Sequence, residues 1–463
     1  MRKEMSGGAI VGVSNGTSLN MCDDDSCCDK DEERVDEDGF PLRLSHRKDK
    51  GLRSWLVVLG CFFGQCIAVG GFYSIGIFIV PFVDDFGLSS RAPAAAIGSF
   101  CAVGFLGFGP FAGRIADRMG SRKCILIGTG IASSAYLVSS FMNNIYALWC
   151  TYGIITGLGG SFLYYTSAPL PSHWFIKRRG IATGVAISGG GLGNVIFPLI
   201  LSPIIEAYSW RWALRAMSVF ALCLGLLCAL LVERRIPLKK GQGRIFSLDI
   251  SLLRGHQGYG MRRLCCAYAI FQLAFFAPLF HIPPYVEIDA NHGASNAALV
   301  LTFMGIGNLF GRFFLGVMAD RYSSVGVGAC ANLITAVSSA GWPAYKALWL
   351  LCFYGWIFGA FGSALWSLAP IIAAELVPLD KLGAALGLAL GPLMLPGCLI
   401  SAPVAGILRK NHGHYWAAAI WVALCMCFSA YFMYTVHGGQ SLVARKKKKE
   451  NNNNNSAIEL AIA

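Results

Sequence analysis

The chain has 463 residues, of which 55% are hydrophobic and only 14% charged, with a mean hydropathy of +0.56. Soluble domains carry roughly a quarter charged residues, so a soluble enzyme is excluded. So is a secreted disulfide scaffold, because most of the 17 Cys, among them Cys61, Cys66, Cys101, Cys223, Cys228 and Cys425, lie inside apolar runs where a thiol packs as a small hydrophobe. The net charge of +13 is dealt out between those runs instead of being gathered on one stripe, which excludes a nucleic-acid binder.

Residues 1–53 hold no apolar core of a signal peptide, so the expectation is a largely disordered cytoplasmic tail, with the first span directing insertion. Cys22, Cys27 and Cys28 can take an acyl chain or a metal, but without a ligating His at a suitable spacing they read as tail. Twelve apolar runs follow, near 55–82, 92–113, 124–141, 145–170, 180–204, 212–232, 264–287, 296–317, 325–343, 345–373, 382–407 and 414–436. Each approaches the length of a transmembrane helix. An even number puts both chain ends on one side. The tails and alternate loops hold 31 of the 38 Lys and Arg, the opposite loops only 6, and Arg312 lies within a span. The positive-inside rule therefore makes both tails and the central linker 233–263 cytoplasmic. The last segment, 438–463, is a cytoplasmic tail whose Arg445 to Lys449 run meets anionic headgroups or serves as a stop-transfer flank.

A constant offset of 203 takes Pro81 to Pro284, Gly113 to Gly316, Ala116 to Ala319, Asp117 to Asp320, Arg118 to Arg321, Gly180 to Gly383 and Gly184 to Gly387. The recurrence of Gly-x-x-Ala-Asp-Arg in register divides the chain into two six-span halves, 54–232 and 264–437. The expected fold is thus all-α: about twelve transmembrane helices in two pseudo-symmetric bundles that can rock about a site at the bilayer midplane. Gly113, Arg114, Asp117 and Arg118, with Asp320 and Arg321, read as a gate in which carboxylate and guanidinium pair across helix ends. The alternative is a tight turn with basic flanks.

The run Gly113-Arg114-Ile115-Ala116-Asp117-Arg118-Met119-Gly120-Ser121-Arg122-Lys123 resembles the loop signature of the major facilitator superfamily. The segment from Trp174 and Phe175 through Lys177, Arg178, Arg179 and Gly184 to Gly189 is similar to the fifth-span signature of its monocarboxylate transporter branch. The resemblance implies a transporter, not an enzyme, in the plasma membrane. In the span, Gly180, Gly184 and Gly189 leave a groove for close helix approach.

An ionisable residue inside a span costs about 2.5–3.5 kcal/mol on insertion scales and normally faces a cavity. Arg312 is the clear case, and its planar fork suits a carboxylate; the other reading is a structural Arg paired with carbonyls. The resemblance places it at the eighth-span arginine that holds the anion. Two positions depart from the family: Asn308 stands where the proton-coupled carriers have an acid, and Tyr73 where they have a lysine. Further substrate-binding candidates are Gln65, Tyr164, Tyr165, Gln272 and Trp366, with Asn194 and His281 as weaker polar positions, His281 being expected in a loop before Pro283-Pro284. No P-loop, cofactor motif, His-Glu-x-x-His or intramembrane Asp pair is present, so no cofactor, metal or catalytic role is expected. The resulting expectation is a secondary transporter of a small organic anion, a monocarboxylate in the first instance, with a coupled proton or counter-anion. The alternatives are a neutral or aromatic solute and a non-transporting sensor of the same fold.

Overall fold

Apolar runs fold as helices in a bilayer because every backbone N–H must be bonded within its own segment. A computed structural model of the chain describes residues 51–88, 92–175, 178–233, 250–253, 258–292, 294–377, 379–391 and 393–436. Both tails with Cys22, Cys27 and Cys28, the linker from Arg234 to Arg244, and Lys177 lie outside the described residues. Among the described residues all regular elements are helical.

In chain order the long segments are α1 (Leu52–Asp85), α2 (Ala92–Gly107 and Gly109–Met119), α3 (Ser121–Ser139), α4 (145–167), α5 (Arg179–Ala207) and α6 (Trp210–Leu231). They continue as α7 (Gly258–Glu287), α8 (Ala294–Arg321), α9 (Ser324–Ala340), α10 (Leu348–Leu376), α11 (Leu382–His412) and α12 (Trp416–Val436). Among the described residues nine of them are long and apolar enough to cross a membrane, and the two arms of α2, bent by 42°, make a tenth. The expectation of about twelve spans meets this lower count because α3 opens on Ser121-Arg122-Lys123 and α4 is diluted by Gly153, Gly157, Gly159 and Gly160. At 1.5 Å per residue α3 still reaches about 28 Å, close to a bilayer's hydrocarbon thickness.

Irregularities concentrate where sequence demands them. The bend in α2 falls at Phe108, between Gly107 and Gly109-Pro110, where Pro110 starts the second arm without a donor to lose. Gly120 joins α2 to α3 with φ 91° and ψ 149°, a region essentially closed to side chains. Its counterpart at the offset of 203, Ser323, instead has ordinary φ and caps α9 through Gly326 N–H. His281 is not in a loop: α7 runs on through Pro283 and Pro284 into a π turn, and the imidazole packs on Tyr415 with ring centroids 5.9 Å apart.

Small residues let the helices approach. A Cβ on Gly104 of α2 would strike the α4 backbone, and at the same offset a Cβ on Gly307 of α8 would strike the α10 backbone. On the outside, Trp416, Ile420, Leu424 and Phe428 of α12 form an exposed apolar stripe at i, i+4 spacing, as a lipid-facing helix requires. One end of the molecule carries two side-chain pins. Asp85 accepts from Arg211 and from Trp210, each at 3.1 Å, and Asp289 accepts from Arg409 at 3.0 Å.

Candidate functional site

The site begins with α1, whose regular winding fails in its middle. Cys66–Gly70 is a π turn and Ser74–Phe78 a 3-10 turn, with Ser74 Oγ donating to the Gly70 carbonyl at 2.7 Å. Such breaks rotate side chains off the helical register and recur at functional sites. Here they aim Val69, Phe72 and Tyr73 into a cavity between α1, α2, α4, α7, α8, α10 and α11.

Arg312 of α8 is 1% exposed and lines this cavity. Its Nη1 donates to the Ile187 carbonyl of α5 at 3.0 Å, while Nε has no partner. The carbonyl-paired reading is therefore right for one nitrogen and leaves the rest of the fork unspent. Gly190 makes the reach available, since a Cβ there would sit 2.8 Å from Nη1. Among the described residues none lining the cavity is acidic, so the guanidinium has no counter-ion among them in its walls. Gln272 of α7, fully buried, forms no conventional hydrogen bond with either amide atom and sits beside Cys398. Trp366 Nε1 is likewise buried without an acceptor.

Tyr164 and Trp366 close the cavity with their rings at 88° and 6.1 Å. The Tyr164 hydroxyl donates to the Trp366 carbonyl at 3.3 Å. That carbonyl's helical donor would be residue 370, and Pro370 has no N–H. Tyr164→Phe is therefore expected to cost about 0.5–2 kcal/mol by orphaning a buried acceptor, read as a lower melting temperature of the purified protein in detergent; an unchanged melting temperature refutes it.

Of the substrate candidates, the cavity brings together Tyr73, Tyr164, Gln272, Arg312 and Trp366. Gln65, Tyr165 and Asn308 do not line it. Gln65 donates to Ser167 Oγ at 2.9 Å, and Tyr165 to the Leu390 carbonyl at 3.0 Å where the first part of α11 ends. Asn308, one turn from Arg312, is buried where Gly359 of α10 packs on its backbone, with Oδ1 unbonded. Sequence reasoning missed Val69, Ala102, Phe105, Leu106, Phe276 and Cys398, which also line the wall. Nothing distinguishes these from the many other apolar residues of the spans.

The duplicated motif sits at one end, where its carboxylates reach backbone N–H groups of the other half. Asp320, at the end of α8, accepts from the Gly180 and Ile181 N–H groups of α5 at 2.5 and 2.7 Å. Asp117, at the end of α2's second arm, accepts from the Ala384 N–H of α11 at 3.0 Å. Each carboxylate thus seats on the first turn of a helix from the other half of the sequence, where unsatisfied N–H groups and the helix dipole favour an anion. Glycines make room: a Cβ on Gly113 would strike the Gly383 carbonyl, and one on Gly316 the Gly180 carbonyl. In the fifth-span signature, Gly184 meets the α8 backbone at Arg312 and Gly189 that of Phe62 in α1. Trp174 Nε1 donates to the Glu233 carbonyl at 2.9 Å, Phe175 is buried against Trp55, Arg179 Nε reaches the Phe175 carbonyl at 3.5 Å, and Arg178 is exposed.

Comparison with known proteins accords with this geometry. A family profile described as Major Facilitator Superfamily matches residues 61–324 and 264–461. The chain is 27% identical to MFS-type transporter 1 of Ophiocordyceps sp., over 90% of this chain and 93% of that one. It is 28% identical to monocarboxylate transporter 12 of Xenopus laevis, over 81% and 86%. Its fold is similar to the crystal structure of the human organic anion transporter MFSD10, with a TM-score of 0.65 at 15% identity, covering 83% of this chain and 100% of that one. With the matched profile spanning nearly all of its helices, the chain belongs to the Major Facilitator Superfamily, a family of multi-pass membrane transporters.

Proposed function

We propose that this transporter carries a small organic anion, a monocarboxylate in the first instance, bound at Arg312. The single observation behind this is a buried guanidinium with an unpartnered nitrogen, no acidic neighbour in the wall, and a cavity in front of it. Burying a charge without a partner costs several kcal/mol, and a carboxylate entering the cavity supplies that partner through charge-assisted hydrogen bonds. Tyr73 and Gln272 add neutral hydrogen-bonding groups on the same walls. The kinship with a protein named for monocarboxylates supports the same substrate class.

Transport then proceeds by rocking of the halves 54–232 and 264–437, with the Asp117 and Asp320 contacts holding one end shut. The distribution of Lys and Arg makes that end cytoplasmic, with both tails on the same side, and the plasma membrane is the site of action. The cationic site favours anion exchange: loaded, it is neutral; empty, it must reorient with a bare buried charge.

In proteoliposomes, uptake of labelled lactate or pyruvate is expected to be accelerated by carboxylate loaded inside and to be indifferent to an inward proton gradient. Uptake that needs the gradient and ignores internal anion refutes exchange. No uptake of any carboxylate moves the assignment to a neutral or aromatic solute.

A further inference from the structure

Behind the Arg312 cavity lies a second, smaller void lined by α1, α2, α3 and α4. The two share Phe72 and Phe105 in their walls. These rings lie 6.2 Å apart, tilted at 30°, so together they form the partition. Phe105 rests on Tyr164 of the front cavity by an edge contact at 5.3 Å. Ala68, Ala132 and Gly160 present little or no side chain to the rear space. At Gly160 a Cβ would meet Phe105 Cδ2 at 3.1 Å, so the glycine leaves that ring its freedom.

Two features separate this space from a packing fault. π turns border it on both sides, Cys66–Gly70 in α1 and Trp149–Ile155 in α4, and Ile67, Ala68 and Thr156 are brought to its wall by or beside them. A packing defect gives no reason for two helices to break register at one place. Tyr136 also lines the space and is 2% exposed, so a phenol hydroxyl is buried in this apolar wall.

We propose that the two cavities are the front and rear of one binding site, in which Arg312 holds a carboxylate and the rear compartment receives the aromatic or branched apolar body of the same solute once Phe72 and Phe105 turn aside. The preferred substrate class is then an amphipathic monoanion such as an aryl-alkanoate or aryl-keto acid, above the short hydroxy acids. This rests on Arg312 being the anion site.

The test is the ratio of phenylpyruvate to pyruvate uptake by the full chain in proteoliposomes, a quantity from which expression and folding losses cancel. Phe105→Ala removes half of the partition and is expected to raise the ratio. Cys101→Leu fills the rear compartment from α2 and is expected to lower it, in each case by about tenfold, the lower end of what one methylene of misfit imposes. A ratio that neither variant moves, with uptake still reduced by about tenfold or more in Arg312→Gln, overturns the rear compartment and leaves the anion site standing. Absence of uptake of both acids by the wild type overturns the anion site and this proposal with it.

Discussion

Arg312→Gln is expected to reduce carboxylate uptake by about ten- to a hundredfold while leaving the melting temperature unchanged or higher. The first effect follows from the loss of charge-assisted hydrogen bonds to the carboxylate, worth about 1.5–3 kcal/mol. The second follows from burial. The guanidinium is 1% exposed, its wall holds no acid, and its one bond is to a backbone carbonyl, so the empty protein carries an uncompensated charge that glutamine removes. A structural arginine predicts the opposite coupling, with uptake and stability falling together. Arg312→Lys keeps the charge but loses the planar fork and the reach to Ile187, so it should recover only a small part of the uptake. Uptake at wild-type level in Arg312→Gln would remove the anion site altogether.

That arginine was legible in the sequence because a charged residue in an apolar run is conspicuous by type, and the helices were legible from the same hydropathy contrast. The rest of the cavity was not. Phe105, Phe276 and Cys398 become wall residues only through the bend at Phe108 and the packing of α7 and α11, and residue type says nothing about which side of a helix faces a void. Tyr73 turned inward where α1 leaves regular winding, which no periodicity of 3.6 anticipates. Asn308 and Gln65 show the converse: polarity inside a span marks a buried position as readily as a binding wall, and Gln65 spends its amide nitrogen on α4. The duplicated Asp-Arg block was visible as a repeat. The backbone partners of its carboxylates were hidden because an N–H on the first turn of α5 or α11 leaves no mark in composition.

Those partners set the second large effect. Gly316→Val is expected to lower uptake by more than tenfold while leaving binding of the anion intact, because it obstructs closure and does not touch the cavity. At this end α8 and α5 meet backbone to backbone: Gly316 faces the Gly180 carbonyl, and Asp320, one turn on, seats on the Gly180 and Ile181 N–H groups. A flexible side chain can step aside for a new Cβ, but a helix carbonyl cannot, so the helices must part and the carboxylate loses its seat. The seat alone is worth about 0.3–2 kcal/mol for a charge at a helix N-terminus, so Asp320→Asn should shift the balance of states only several-fold, a smaller defect than that of Gly316→Val. Gly113→Val, against the Gly383 carbonyl, should reproduce the large effect from the other half of the repeat. The readout is alkylation of a single cysteine introduced at Ala384, whose N–H is held by Asp117 in the closed end: labelling by a membrane-impermeant reagent should rise in Gly316→Val as uptake falls. If labelling stays at the background level while uptake collapses, the valine has damaged the fold and the gate assignment fails with it.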